Sequence, residues 1–146
     1  MSSNPISILL VVVQLVSLGI IFFTGPVIPQ ALLLKTVFIG GVLLGLWSFW
    51  EMRKSKLQAT PDVAPGSKLI KSGPYRYIRH PMYTGLLLIT ISILVSYFSP
   101  LRLIAAVILT VDLLIKIQYE EKLLNKYFKE YGRYLKHTWR LIPFIY

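Results

Sequence analysis

Four predominantly apolar runs, residues 6–24, 31–50, 82–98 and 101–117, divide the chain, and shorter polar stretches separate them. A helix needs about 20 mostly apolar residues to cross a bilayer. The pattern therefore predicts an all-α integral membrane protein with four transmembrane helices. The first two runs turn at GPVIP (residues 25–29) and the last two at Ser99 and Pro100, so the third and fourth helices are expected to pack as antiparallel neighbours. Gly41 and Gly45 in the second run form a small-xxx-small pattern suited to close helix packing. Residues 51–79 are polar and irregular, and ATPDVAPGS and KSGPY carry the proline and glycine that interrupt helices. A loop of that length in so small a chain points to function.

Beyond residue 117 the pattern changes again. Leu124, Phe128, Tyr131 and Leu135 share one helical face, with Leu123 and Tyr127 beside it, while Lys122, Lys126, Lys129 and Arg133 occupy other faces. The last helix is predicted to leave the bilayer and end near Gly132 or a turn later. Its apolar stripe then lies on the membrane surface or covers the polar loop. The tail WRLIPFIY is apolar and aromatic and is expected to return to the interface. The chain reads as one domain over residues 1–146, with a loop at 51–81 and a C-terminal helix and tail at 118–146.

Composition supports this reading. Hydrophobic residues make up 55% of the 146, and the mean hydropathy of +0.63 argues against an ordinary water-soluble core. No Lys or Arg precedes Lys35, so the first run lacks the basic flank of a signal peptide and reads as a retained span. With no cysteine, disulfides, thiolate metal sites and cysteine nucleophiles are excluded, and no metal site is expected. The net charge of +10 raises nucleic acid as a partner, but its placement argues for a membrane instead. Seven basic residues lie between Arg53 and Arg79 and seven between Lys116 and Arg140, so four spans put both clusters on one side. The positive-inside rule makes that side, and both termini, cytoplasmic. Much of the charge then sets topology and attracts anionic headgroups.

Two polar clusters are expected to meet at that edge. Tyr75, Arg79, His80 and Tyr83 lead into the third span, and Lys116, Glu120 and Glu121 lead out of the fourth. Snorkelling side chains, interfacial tyrosines and surface ion pairs would account for each of them singly. Asp112, in mid-span, is different. A carboxylate there is costly and either functional or paired, with Lys116 one helical turn away as the available partner.

Taken together the clusters match a family. GPYRYIRHPMYTG (residues 73–85), then KIQYEEKLL (116–124) and EYGRYLKHTWRLIPF (130–144), resemble the isoprenylcysteine carboxyl methyltransferases and the related membrane phospholipid methyltransferases, over residues 69–144. The resemblance implies an S-adenosylmethionine-dependent membrane methyltransferase. Its acceptor would be a lipophilic or prenylated molecule, with carboxyl O-methylation favoured and phospholipid N-methylation the alternative. By motif, the cofactor contacts are Lys68, Leu69, Ile70, Tyr75, His80, Pro81, Met82, Tyr83 and Glu120. His80 and amides at the helix start would hold the cofactor carboxylate, Glu120 its ammonium or ribose, and Tyr75 and Tyr83 the adenine or sulfonium. Lys116 stands where the family has an arginine that holds the acceptor carboxylate, and His137 where many relatives have another arginine. No general base is required for a carboxylate acceptor. Sterol reductases carry a similar R-H-x-N-Y-x-G-D pattern and use a nicotinamide cofactor, but Met82 and Leu86 replace its asparagine and aspartate. A non-catalytic membrane protein of the same fold is the remaining alternative.

Overall fold

The structure is a computed structural model that describes residues 4–55, 62–63 and 65–146; residues 56–61 and 64 of the expected loop lie outside the described residues. The elements are α1 (Pro5–Phe23), α2 (Leu32–Met52), a 3-10 turn (Gly73–Arg76), α3 (Pro81–Ser96), α4 (Pro100–Tyr127) and α5 (Tyr131–Leu135). Local chemistry sets the helix starts. Asn4 caps α1 by accepting from the Ile6 amide at 3.1 Å, and Ser99 stands in the same place before α4. Proline opens α1, α3 and α4, where its missing N–H has no partner to lose.

Side chains sort in a way that suits lipid. On α4 the buried stripe contains Arg102, Asp112, Lys116 and Glu121, while Leu103, Ile104, Val107, Ile108, Val111 and Ile115 face outward. On α1, Ser7, Leu10, Ser17 and Ile21 are buried and Leu9, Val12, Leu15 and Val16 exposed. Polar groups turned inward beneath an apolar exterior reverse the usual soluble pattern. Both α1 and α2 are long and apolar enough to cross a membrane. Helix α3 is apolar but has only 16 residues, and the first five turns of α4 carry three charges.

The pairing differs from expectation. Although the turn between them is short, α3 and α4 share only a small contact; the main partners are α2 with α3 and α1 with α4. Backbone approach explains the first pair. A methyl group on Gly85 would stand 2.7 Å from the Gly41 carbonyl oxygen and one on Gly41 2.8 Å from the Gly85 carbonyl oxygen, so this crossing needs glycine at both, whereas one on Gly45 would meet nothing within 4 Å. Polar ties hold the second pair. Asn4 donates to the Tyr119 hydroxyl (3.0 Å), Lys116 to the Gln14 carboxamide, and the Arg102 Nε to Thr24 Oγ1 (3.1 Å). Arg102 also reaches the Tyr97 carbonyl at 3.3 Å. Since Thr24 and Tyr97 end α1 and α3, this cation sits at two helix C-termini, where the macrodipoles favour it.

The last helix also departs from expectation. It does not continue to Gly132: Phe128 is extended (φ −108°, ψ 112°), and the chain restarts as the five-residue α5. The intended stripe is thereby bent over the polar loop, where the Gly66 amide donates to the Tyr127 hydroxyl at 3.1 Å. The tail then runs beside the segment before α3. Arg79 and His80 amides donate to the Trp139 and Arg140 carbonyls at 2.7 and 3.1 Å, and the Trp139 amide returns a bond to Tyr77 at 3.0 Å. Among the described residues this single parallel bridge, Ile78 with Trp139, is the only β-type pairing.

Candidate functional site

Both polar clusters converge where α3 begins and α4 leaves its apolar segment. His80 immediately precedes Pro81, which restricts its backbone at the helix entrance, and its side chain is only 5% exposed. Its Nδ1 lies 3.2 Å from Glu120 Oε2 and its Nε2 3.5 Å from Glu121 Oε1. Tyr83, one turn on, stacks on the imidazole (centroids 5.6 Å apart, planes 4° apart) and donates its hydroxyl to Glu120. The Lys116 ammonium lies 5.9 Å from the Tyr83 ring centre and donates to Gln14.

Adjacent on α4, Glu120 and Glu121 do different jobs. Glu121 is buried and binds Arg79 Nε at 2.7 Å and Arg140 Nε at 3.0 Å, tying α3's entrance and the tail to α4. Arg79 continues to the Thr138 and Leu135 carbonyls. Burial alone would raise the Glu121 carboxyl, but its contacts with His80 and Arg79 outweigh burial and hold it at about 2. Burial opposes protonation of His80, yet the Glu120 and Glu121 carboxylates leave its pKa raised. Desolvation, followed by nearby carboxylates, raises the Tyr75 and Tyr131 phenols, which stay neutral donors at physiological pH.

A cavity of about 400 Å³ opens at this junction, within the range of small-molecule and cofactor sites. Of the residues named from sequence, Lys68, Leu69, Ile70, Tyr75, His80, Met82, Tyr83, Glu120 and Lys116 line it. Pro81 does not; it is packed into the helix start. Of the helix-start amides, three are engaged: His80 donates to the Arg140 carbonyl, and Tyr83 and Thr84 donate to the His80 carbonyl. Asp112 is buried with neither carboxylate oxygen hydrogen-bonded, and no ion pair joins it to Lys116 among the described residues.

Sequence reading missed the wall supplied by α1, Val11, Gln14 and Leu15. The signal was present, for Gln14 is the only carboxamide in an otherwise apolar run. It also missed Asp62, whose Oδ1 accepts from Ser7 at 3.1 Å while Oδ2 has no partner. Tyr131 and Tyr134 complete the wall from α5. Glu51 closes the rear of the loop by accepting from Ser72 and from Lys54 at 2.7 Å. Its side chain needs the space that a β-carbon on Gly73 (φ +58°) would fill.

Against this geometry the relatives are informative. The family model described as "Phospholipid methyltransferase" matches residues 30–131. The chain belongs to the phospholipid methyltransferase family. Two rice proteins, from Oryza sativa subsp. indica and subsp. japonica, are each named "Probable protein-S-isoprenylcysteine O-methyltransferase" and are 36% identical to it over 80 residues. That alignment covers 53% of this chain and 42% of each relative, so it spans less than half of their length. The matched family segment runs from the start of α2 to the first residue of α5, and so includes both halves of the Glu120–His80–Tyr83 cluster.

Proposed function

We propose that the cavity binds S-adenosylmethionine and that the protein transfers the methyl group to a lipophilic acceptor carrying a carboxylate, prenylcysteine-like or lipid. The observation that carries this reading is the meeting of the family's motif residues on one cavity wall, beside the lipid-facing helix α1. The donor set suits the cofactor. Lys68 offers a cation, Glu120 and Asp62 offer acceptors, the phenols offer neutral donors, and Leu69, Ile70, Leu124 and Phe128 offer apolar surface.

When bound, S-adenosylmethionine supplies an electrophilic methyl group on a sulfonium. The protein's part is alignment and electrostatics. Glu120, already oriented by Tyr83 and His80, accepts from the cofactor's ammonium or ribose hydroxyls. The faces of Tyr75 and Tyr83 stabilise positive charge beside them. Lys116 draws an anionic acceptor group toward the reacting centre while the acceptor's hydrocarbon remains in lipid. A carboxylate is already a nucleophile, so positioning supplies most of the rate. Phospholipid N-methylation is the second reading, favoured by the family match. An ammonium acceptor would have to lose a proton first.

Binding of radiolabelled S-adenosylmethionine to detergent-purified protein tests the cofactor assignment. Absence of binding under conditions where the protein is folded would remove it, and binding of a nicotinamide cofactor instead would favour the reductase-like reading. We further propose that α1 to α4 all span the membrane, with the cavity on the cytoplasmic side. Single cysteines placed by Ser67→Cys and Ser99→Cys should then react with an impermeant reagent from opposite sides. Labelling of both from one side would rule the arrangement out.

For the acceptor, Lys116→Met should lower kcat/KM roughly tenfold, the loss of one hydrogen bond to a charged group, with cofactor affinity nearly unchanged. If Lys116 serves only to offset Asp112, the same variant should instead lower the melting temperature, and Asp112→Asn should restore both stability and activity. Stability and activity of the two single variants and the double variant separate these outcomes.

A further inference from the structure

Gln14 is the only carboxamide in the apolar run of α1, and its place on that helix shows which way it points. Ser7, Leu10, Ser17 and Ile21 are the buried residues of α1. Gln14 falls in the same stripe, four residues after Leu10 and three before Ser17, so its side chain belongs to the inner face, toward α4. It is nevertheless only half-buried, and the space beside it is the cavity, which it lines with Val11 and Leu15. Lys116 fixes the rotation of the carboxamide. An ammonium has only donors, so its bond to Gln14 engages the carboxamide oxygen and turns the amide nitrogen the other way. That nitrogen makes no hydrogen bond among the described residues, and it is not one of the unbonded polar atoms sealed from solvent. Lys116 uses one of its three N–H groups on Gln14. Among the described residues no ion pair joins it to Asp112 or Glu120, the carboxylates one turn away on either side.

We infer that Gln14 is a specificity residue for the methyl acceptor: with Lys116 it forms a donor-only edge that takes an acceptor's carboxylate and excludes an ammonium. This rests on the reading of the cavity as a methyl-transfer site. A carboxylate only accepts, and it offers lone pairs on two oxygens, so donors from two helices can hold it at both ends. An ammonium only donates. The one acceptor in the pair, the carboxamide oxygen, is occupied by Lys116, so nothing there receives an ammonium. Of the two acceptor readings, the edge selects the carboxylate. Its position suits a lipophilic molecule. Leu15, beside Gln14, lines the cavity although it is 62% exposed on the outward side of α1, so this end of the cavity adjoins the apolar exterior. Gln14 also precedes the segment that the family model matches, residues 30–131, so the family match does not supply it.

Gln14→Glu keeps the length of the side chain and an oxygen for Lys116, but replaces the amide donors by a negative charge. Calorimetric titration of wild type and variant with N-acetyl-S-farnesylcysteine, with the neutral carboxamide of the same molecule and with S-adenosylmethionine tests the assignment. Melting temperatures are measured alongside. The wild type should bind the acid more tightly than its carboxamide. The variant should bind the acid at least tenfold more weakly, lose most of that preference, and keep its affinity for S-adenosylmethionine. Unchanged affinity for the acid would overturn the inference, because Gln14 would then serve only to hold Lys116. An equal loss for the acid and its carboxamide, or an equal loss for S-adenosylmethionine, would overturn it too. Should Gln14→Glu melt well below the wild type, Gln14→Leu removes the amide without adding charge. It should show the same tenfold loss for the acid, and no loss there would be equally decisive against the inference. If the wild type binds S-adenosylmethionine but not the acid, this inference alone falls. If it binds neither, the methyl-transfer reading falls and this one with it.

Discussion

Replacing Glu121 by glutamine is expected to destabilise the protein by about 3–5 kcal/mol, the cost of leaving buried cations without their counter-charge. The Glu121 side chain is 10% exposed, as is that of Arg79, its partner at 2.7 Å. Arg140, at 3.0 Å, lies at the rim with a third of its side chain exposed and contributes little of the total. Chemical denaturation in detergent, with Arg79→Met and the double variant closing a cycle, measures the coupling. A loss below about 1 kcal/mol would show that water reaches the pair.

The same cluster sets a pH dependence. Glu121 is held near 2 against an ordinary value of 4.5, so its contribution is complete above pH 4.5 and is lost as the pH falls toward 2. His80 has a raised pKa, so its contribution is complete below its ordinary 6.5 and is lost as the pH rises through its folded value. The cluster should therefore stabilise most between about pH 4.5 and 6.5. His80→Gln should remove the alkaline limb of a melting-temperature profile and leave the acid limb.

Glu120→Gln should act on the ligand instead of the fold. Weakening of S-adenosylmethionine binding by about 1.5–3 kcal/mol, roughly 10- to 150-fold, is expected for the loss of a charge-assisted hydrogen bond. Glu120 is partly exposed on the cavity lining and carries no arginine, so its variant should lose less stability than Glu121→Gln. Titration of both variants, compared with their melting temperatures, checks the division. Equal and negligible losses of affinity would end the assignment of Glu120 to the cofactor.

That division of labour shows what the sequence could tell and what it could not. Two adjacent glutamates on a helix point about 100° apart, so only one could face the cavity, and choosing Glu120 required the family motif. That Glu121 would be buried among Arg79, Arg140 and His80 was not legible, because Arg140 comes from a tail whose return path depends on the Ile78–Trp139 pairing. The helices themselves were readable from hydropathy, as was the close packing at Gly41. Their pairing was not. A short turn at Ser99 keeps α3 and α4 close only at one end, and the partner of each is chosen by glycine contacts on one side and polar ties on the other. The interruption at Phe128 left no glycine or proline to announce it. It arises where the Leu124–Tyr131 stripe folds over the loop.

Arg102 and its neighbours on α4 bear on how the chain reaches its membrane at all. Translocon scales put an arginine, lysine or aspartate at the centre of an inserting helix at about 2.5–3.5 kcal/mol each. Helix α4 carries Arg102, Asp112 and Lys116 on the stripe that ends up covered, and the groups that receive Arg102 and Lys116, Thr24 and Gln14, belong to α1. As a lone segment emerging from the ribosome, α4 is a poor candidate for lateral release into lipid. If α1 and α4 both span the membrane as proposed, pairing with α1, whose Thr24 and Gln14 receive Arg102 and Lys116, would ease the entry of α4 into the bilayer.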